Sequence, residues 1–149
     1  MDNTLQLFDI LGILARKRLQ TAERFFSSLG LNHTEARLLS LLDQEGGVAT
    51  QNKLSDSLFI DRSNTGRALK YLEQEEYIAR CSDNVDKRAN VVSITPKGCK
   101  AVSEIDKLRK KIAQTFFYAM EEDEVRKTIE FLIKTLTHEE VEMVHKRQK

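Results

Sequence analysis

Between Tyr77 and Thr95 the chain abandons the three- and four-residue apolar spacing that runs through most of the rest, and this interruption limits what it can fold into. Tyr77 to Ser82 and Ala89 to Thr95 show little 3.6-residue periodicity, are rich in β-branched side chains and flank the polar run DNVDK. That pattern predicts a two-stranded hairpin, with Pro96 and Gly98 marking its exit. On both sides the apolar residues fall on helical stripes. The expectation is a mainly α fold with a small β-hairpin set into it.

The stripes can be followed from the first residues. Leu5, Phe8, Leu11, Ala15, Leu19, Ala22, Phe26 and Leu29 predict one long amphipathic helix that Gly30 stops. In HTEARLLSLLDQEGG, Asn32 or Thr34 can cap a second helix, and Gly46-Gly47 ends it. Thr50 caps a short third helix, QNKLSDSLF, and Asp61 caps a fourth running to about Glu76. After the hairpin, Val102, Ile105, Leu108, Ile112 and Phe116 mark one helix. Val125, Ile129, Leu132, Ile133 and Leu136 mark another, opened by the acidic run EEDE where negative charge suits the helix dipole.

The helix that starts at Asp61, DRSNTGRALKYL, carries a glycine two turns in and small polar residues where strong helix formers would be expected. At about 100° per residue, Thr65, Ala68, Leu69 and Leu72 share one side, while Ser63, Gly66, Arg67, Lys70 and Gln74 share the other. A glycine inside a helix costs roughly 0.5 to 1 kcal/mol relative to alanine. On an exposed basic face, close approach by another molecule is a reason to keep it.

Helix, turn, second helix with a polar outer face, then hairpin is the order of a winged helix-turn-helix. In that geometry the second helix enters the major groove of duplex DNA. Small side chains at Ser63, Thr65 and Gly66 let the backbone come near. Arg67 can reach O6 and N7 of a guanine, and Asn64 can pair with adenine or hold a phosphate. Gln51, Arg62 and Lys70 complete the candidate surface on this side. At the hairpin tip, Asp86 stands two residues before Arg88 and can orient its guanidinium; Lys87 and Arg88 suit a minor groove. The formal net charge is only +1, so any attraction to DNA must come from local segregation of Lys and Arg.

The order LNHTEARLLSLL, TQNKLSDSLFIDRSNTGRALKYLEQEEYIAR, then DKRANVVSITPKG resembles the MarR family of bacterial transcription regulators across most of the chain. Its most specific part is the Asp-x-Arg tip followed by an apolar strand and TPKG. The resemblance implies an obligate homodimer with intertwined terminal helices, and two winged helices reading a pseudo-palindromic operator. It makes Ser63 to Arg67 recognition-helix residues and Arg88 the wing arginine. Gly66 departs from the pattern, standing where many relatives carry a larger residue. The resemblance also implies repression relieved by a small aromatic or amphipathic effector bound between the dimer helices and the DNA-binding lobe.

Independently of any family, a winged helix needs only residues 31–98, which leaves apolar-striped helices at 1–30 and 99–149 within a single domain of 149 residues. A symmetric dimer covers such stripes and sets two recognition helices about 34 Å apart, one for each of two adjacent major grooves. No Gly-rich phosphate loop, nucleophile elbow or His/Cys/carboxylate cluster points to catalysis, a metal or a cofactor, and His138 and His145 share a face of the last helix with nothing beside them. Cys81 and Cys99 make no disulfide framework. They read as small buried filler, or as a redox switch in which the start of a helix stabilises the Cys99 thiolate. A winged helix used for protein contact is the remaining alternative, and the basic outer face disfavours it. With no signal peptide and no apolar run near the roughly 20 residues of a membrane span, a soluble cytoplasmic protein is expected.

Overall fold

A computed structural model describes residues 2–82 and 90–147. Among these described residues, seven α-helices and three strands follow in the order α1 (Asn3–Phe26), α2 (His33–Gln44), β1 (Val48–Thr50), α3 (Gln51–Leu58), α4 (Arg62–Gln74), β2 (Ile78–Ser82), β3 (Asn90–Ile94), α5 (Pro96–Phe116), α6 (Glu122–Leu132) and α7 (His138–Lys146). Single 3-10 turns follow α1 and α6, at Ser27–Leu29 and Ile133–Thr135. The chain forms two compact units, Met1–Ile112 and Ala113–Lys149.

Local chemistry accounts for most boundaries in the first unit. Gly30, in the left-handed region at φ 72°, ends the turn after α1. Asn32 caps α2 in a reciprocal arrangement: its Oδ1 accepts from the Glu35 amide at 2.8 Å, while Glu35 Oε1 accepts from the Asn32 amide at 2.8 Å. Gly46 and Gly47, both at positive φ, turn the chain out of α2. The buried sides of α2, α3 and α4 then meet through Leu38, Leu39, Leu42, Leu54, Leu69 and Leu72. Val92 and Ile78 of the sheet, Ile105 of α5 and Phe26 of α1 close this core.

The sheet differs from the expected hairpin by one strand. Its order is β1-β3-β2, antiparallel throughout, with Ala49 opposite Val92 and Arg80 opposite Val92 on the other side. The extra strand β1 is three residues long and runs directly into the cap of α3, so it shows no alternation to read. A second difference lies in the other unit, where the predicted last helix is two helices. Leu136 is extended (φ −95°, ψ 149°), and Thr137 caps α7 by accepting from the Glu140 amide at 3.2 Å. None of the residues of α6 or α7 is buried.

Glu35 is buried beside Glu23, and its carboxyl is pushed above the usual glutamate range first by burial and then by Glu23, against the lowering effect of its hydrogen bond from Asn32. A raised carboxyl pKa stabilises the fold in its protonated form. That stability is fully present below the unfolded-state pKa and is lost as pH rises through the raised value. Glu35→Gln keeps the acceptor for Asn32 without the charge. Its melting temperature is therefore expected to exceed that of the wild type at about pH 7, with the gap closing as pH falls towards about 4. A gap that stays constant across a calorimetric pH series would remove Glu35 as its source.

Candidate nucleic-acid interface

The site is built on the turn between α3 and α4. Thr50 Oγ1 accepts from the Lys53 amide at 3.2 Å and starts α3. Phe59, 92% exposed, ends it in the left-handed region at φ 54°. Asp61 then starts α4, its Oδ1 accepting from the Asn64 amide at 2.8 Å. Leu69 and Leu72 seat the inner face of α4 in the core and hold Arg62, Ser63, Asn64, Arg67 and Lys70 outward, all exposed.

Along this outer face the polar side chains form a line. Asn64 Nδ2 donates to Asp61 Oδ2, and Arg67 Nη2 donates to Asn64 Oδ1. The Asn64 amide thus bridges Asp61 and Arg67, with one N–H and one oxygen lone pair left over. The guanidinium has five donors and keeps others free for an incoming acceptor. Gly66 lies between this line and α3: a Cβ there would meet Gln51 Nε2 at 3.4 Å, an ordinary contact with the end of a flexible side chain. The fold itself does not need the glycine.

Thr65 is corrected by the structure. Its side chain is fully buried and its hydroxyl donates to the Asp61 carbonyl at 3.1 Å, so it cannot reach a ligand outside α4. Gln51, at the start of α3, is half-buried, and its Oε1 accepts from Arg80 Nη1 at 3.1 Å. Arg80 also stands 3.7 Å from Glu73 of α4, through Nε and Oε2. It thus ties β2 to both helices of the turn, a role the sequence does not advertise because strand periodicity says nothing about which helix a side chain meets. Asp86, Lys87 and Arg88 lie outside the described residues. Lys53 spends its charge on Glu45 at 2.7 Å.

Both cysteines are free and exposed, Cys81 on β2 and Cys99 in the first turns of α5, which overturns the reading of either as buried filler. Among the described residues no group of three or more His, Cys, Asp or Glu side chains could hold a metal ion, and no helix is long and apolar enough to cross a membrane.

A helix, a left-handed turn and a second helix with an exposed basic face, followed by a small sheet, define a winged helix-turn-helix protein. A sequence profile described as "MarR family" matches residues 29–89. The HTH-type transcriptional regulator PapX of Escherichia coli is 30% identical over 88 residues, covering 58% of this chain and 54% of PapX. The chain thus matches about half the length of that curated relative. A mutant MarR from E. coli, solved in complex with operator DNA, superposes with a TM-score of 0.77 at 20% identity, covering 91% of this chain and 97% of that one. BpsR of Bordetella bronchiseptica, solved to explain regulation of its DNA binding by 6-hydroxynicotinic acid, gives a TM-score of 0.75 at 19% identity, covering 87% and 98%. At those identities the two structures speak to the fold. Over residues 29–89 this chain is similar to the MarR family.

Proposed function

We propose that the chain is a homodimeric transcription regulator of the cytoplasm that binds duplex DNA at a pseudo-palindromic site and performs no catalysis. The observation that carries the reading is the division of α4, with Thr65, Ala68, Leu69 and Leu72 buried on one side and Arg62, Ser63, Asn64, Arg67 and Lys70 exposed on the other. A helix seated this firmly can present a fixed row of donors to base edges, and Arg67 is aimed for a guanine. Asp86, Lys87 and Arg88 would follow the adjacent minor groove. The exposed apolar residues of α1 supply the dimer surface, with residues 31–98 as the DNA-binding lobe and 1–30 and 99–149 as the dimerisation region.

We further propose that it acts as a repressor relieved by a small aromatic or amphipathic ligand, a reading supported by BpsR, whose DNA binding is regulated by 6-hydroxynicotinic acid. Such a ligand would bind preferentially to a dimer whose recognition helices are wrongly spaced, and so draw the population away from the DNA-competent form.

Fluorescence anisotropy of the full chain on duplex DNA from its own upstream region and on a scrambled duplex, across a salt series, tests the core of this. Tight binding to the first with a steep salt slope is expected. Equal, weak binding to both duplexes would leave a winged helix without sequence recognition. In the same assay Arg67→Ala is expected to weaken specific binding by about 1 to 3 kcal/mol and to reduce discrimination against the scrambled duplex. Unchanged discrimination would remove Arg67 as a base reader.

Gly66→Ala separates fold from function. With the methyl meeting only the end of the Gln51 side chain, at van der Waals distance, the variant is expected to be more stable by about 0.5 to 1 kcal/mol while binding DNA less tightly. A loss of stability would mean that the fold, rather than groove approach, requires the glycine.

A further inference from the structure

The outer face of α4 meets the proposed groove, and beside the Arg80–Glu73 ion pair to β2, polar bonds from Tyr71 and from the start of α5 carry its other end to the rest of the protein. Tyr71, one turn beyond Arg67, donates its hydroxyl to the Gly30 carbonyl at 2.6 Å, across 41 residues of sequence. Gly30 is the left-handed residue that closes the turn after α1, and its own amide is fixed on the Ser27 carbonyl at 3.0 Å. The acceptor is therefore rigidly presented at the end of α1. At the C-terminus of α4, Lys97 Nζ donates to the Glu75 carbonyl at 2.6 Å, and Thr95 Oγ1 donates to the Glu76 carbonyl at 2.7 Å. Lys97 belongs to the first turn of α5 and lies 4.5 Å from the centre of the Tyr77 ring.

We infer that Tyr71, with Lys97, is a positioning residue that sets the angle of α4 against α1 and α5, and through it the spacing of DNA half-sites. This rests on the reading of the protein as a DNA-binding dimer. Apolar packing against α2 and α3 holds α4 in the lobe, but such packing is non-directional, whereas a short hydroxyl-to-carbonyl bond constrains both distance and angle. The lever is long enough to matter. Ser63 lies eight residues from Tyr71, about 12 Å along the helix axis, so a tilt of about 10° at Tyr71 displaces Ser63 by about 2 Å. That displacement exceeds the tolerance of a hydrogen bond to a base edge. In a two-fold dimer built on α1 it occurs twice, in opposite directions, and so changes the separation of the two recognition helices.

The test uses the full chain and the duplex that the wild type itself selects from a randomised library, resynthesised with one or two base pairs added or removed at its centre. The wild type is expected to lose at least about tenfold in affinity off its own spacing, because each half-site must face a fixed helix. Tyr71→Phe removes one hydroxyl and keeps the ring. It is expected to melt cooperatively, yet to lose less than about threefold off-spacing, and Lys97→Met is expected to flatten the profile in the same direction. A role in stability alone would lower affinity for all spacings together. Variants that keep the wild-type spacing profile, whatever their overall affinity, overturn the inference. So does a Tyr71→Phe chain that no longer folds beside a Lys97→Met chain with the wild-type profile. A wild type that selects no duplex at all overturns the DNA-binding reading itself, and this inference with it.

Discussion

Gly98→Ala is expected to destabilise the fold by about 3 kcal/mol and to lower the melting temperature by about 10 °C, measured by circular dichroism or calorimetry. Gly98 is buried in the first turn of α5, and its amide donates to Thr95 Oγ1 at 3.0 Å. A Cβ at this position would stand 2.6 Å from Ile94 Cγ1 and closer still to the Tyr77 carbonyl oxygen. The side chain of Ile94 could rotate away; the carbonyl could not. It accepts from the Thr95 amide at 3.1 Å and from the Thr95 hydroxyl at 3.0 Å, and Glu76 immediately before it already sits at φ 64°. To admit one methyl group, α5 would have to lift off the loop that ends α4. The cost falls on a total stability of only about 5 to 15 kcal/mol, so it should be visible without denaturant. Melting within about 2 °C of the wild type would mean that this junction yields easily, and would also weaken the case that α5 fixes the end of α4.

Gly98 and Gly66 show where sequence reasoning reaches and where it stops. Both stand in helices, and both were noticed from the sequence, Gly98 as a strand exit and Gly66 as an exposed weakness. Only the packing separates them: one faces a backbone carbonyl of another segment, the other the side-chain end of Gln51. Rules that act within a few residues were legible. Thr50 and Asp61 cap the helices they were expected to cap, Asn32 rather than Thr34 caps α2, and the change of period after Tyr77 marks the strands. The break at Thr137 was also legible in principle, since Thr-x-x-Glu is a helix-start signature, but the apolar stripe of α6 ran up to Leu136 and masked it. The candidate site was legible as a face rather than as a set of contacts. Thr65 fell on the buried side of the helical wheel, and its place in the recognition stretch did not change that. The bond from Arg80 to Gln51 and the left-handed Phe59 depend on how the sheet and the two helices meet, which no local pattern encodes.

On the proposed reading of the chain as a DNA-binding dimer, glutamate at both Phe8 and Ile13 is expected to give a monomer and to weaken binding to operator DNA by more than about a hundredfold, while the winged-helix lobe stays folded. In α1 only Ala22 and Phe26 are buried, whereas Leu5, Phe8 and Ile13 are 56%, 72% and 65% exposed. Side chains of this size each gain about 1.5 to 3 kcal/mol when covered. An apolar run along a helix of 24 residues is far more exposed surface than scattered single residues would leave, and a second copy of the same chain is the cover we propose. In a two-fold interface each substitution appears twice, so the double variant would bury four carboxylates without partners, a cost of several kcal/mol even after relaxation. The core of the lobe, around Leu39, Leu54, Leu69 and Leu72, lies on other elements and should keep its own cooperative transition. DNA binding should fail for a different reason. A single recognition helix holds one half-site, and the gain from tethering a second, commonly about 10² to 10⁴, disappears with the dimer. Light scattering and anisotropy on the same samples decide the matter. A variant that stays dimeric would place the interface elsewhere. A monomeric variant that still binds operator as tightly as the wild type would show that one lobe suffices, and the argument for paired half-sites would fall.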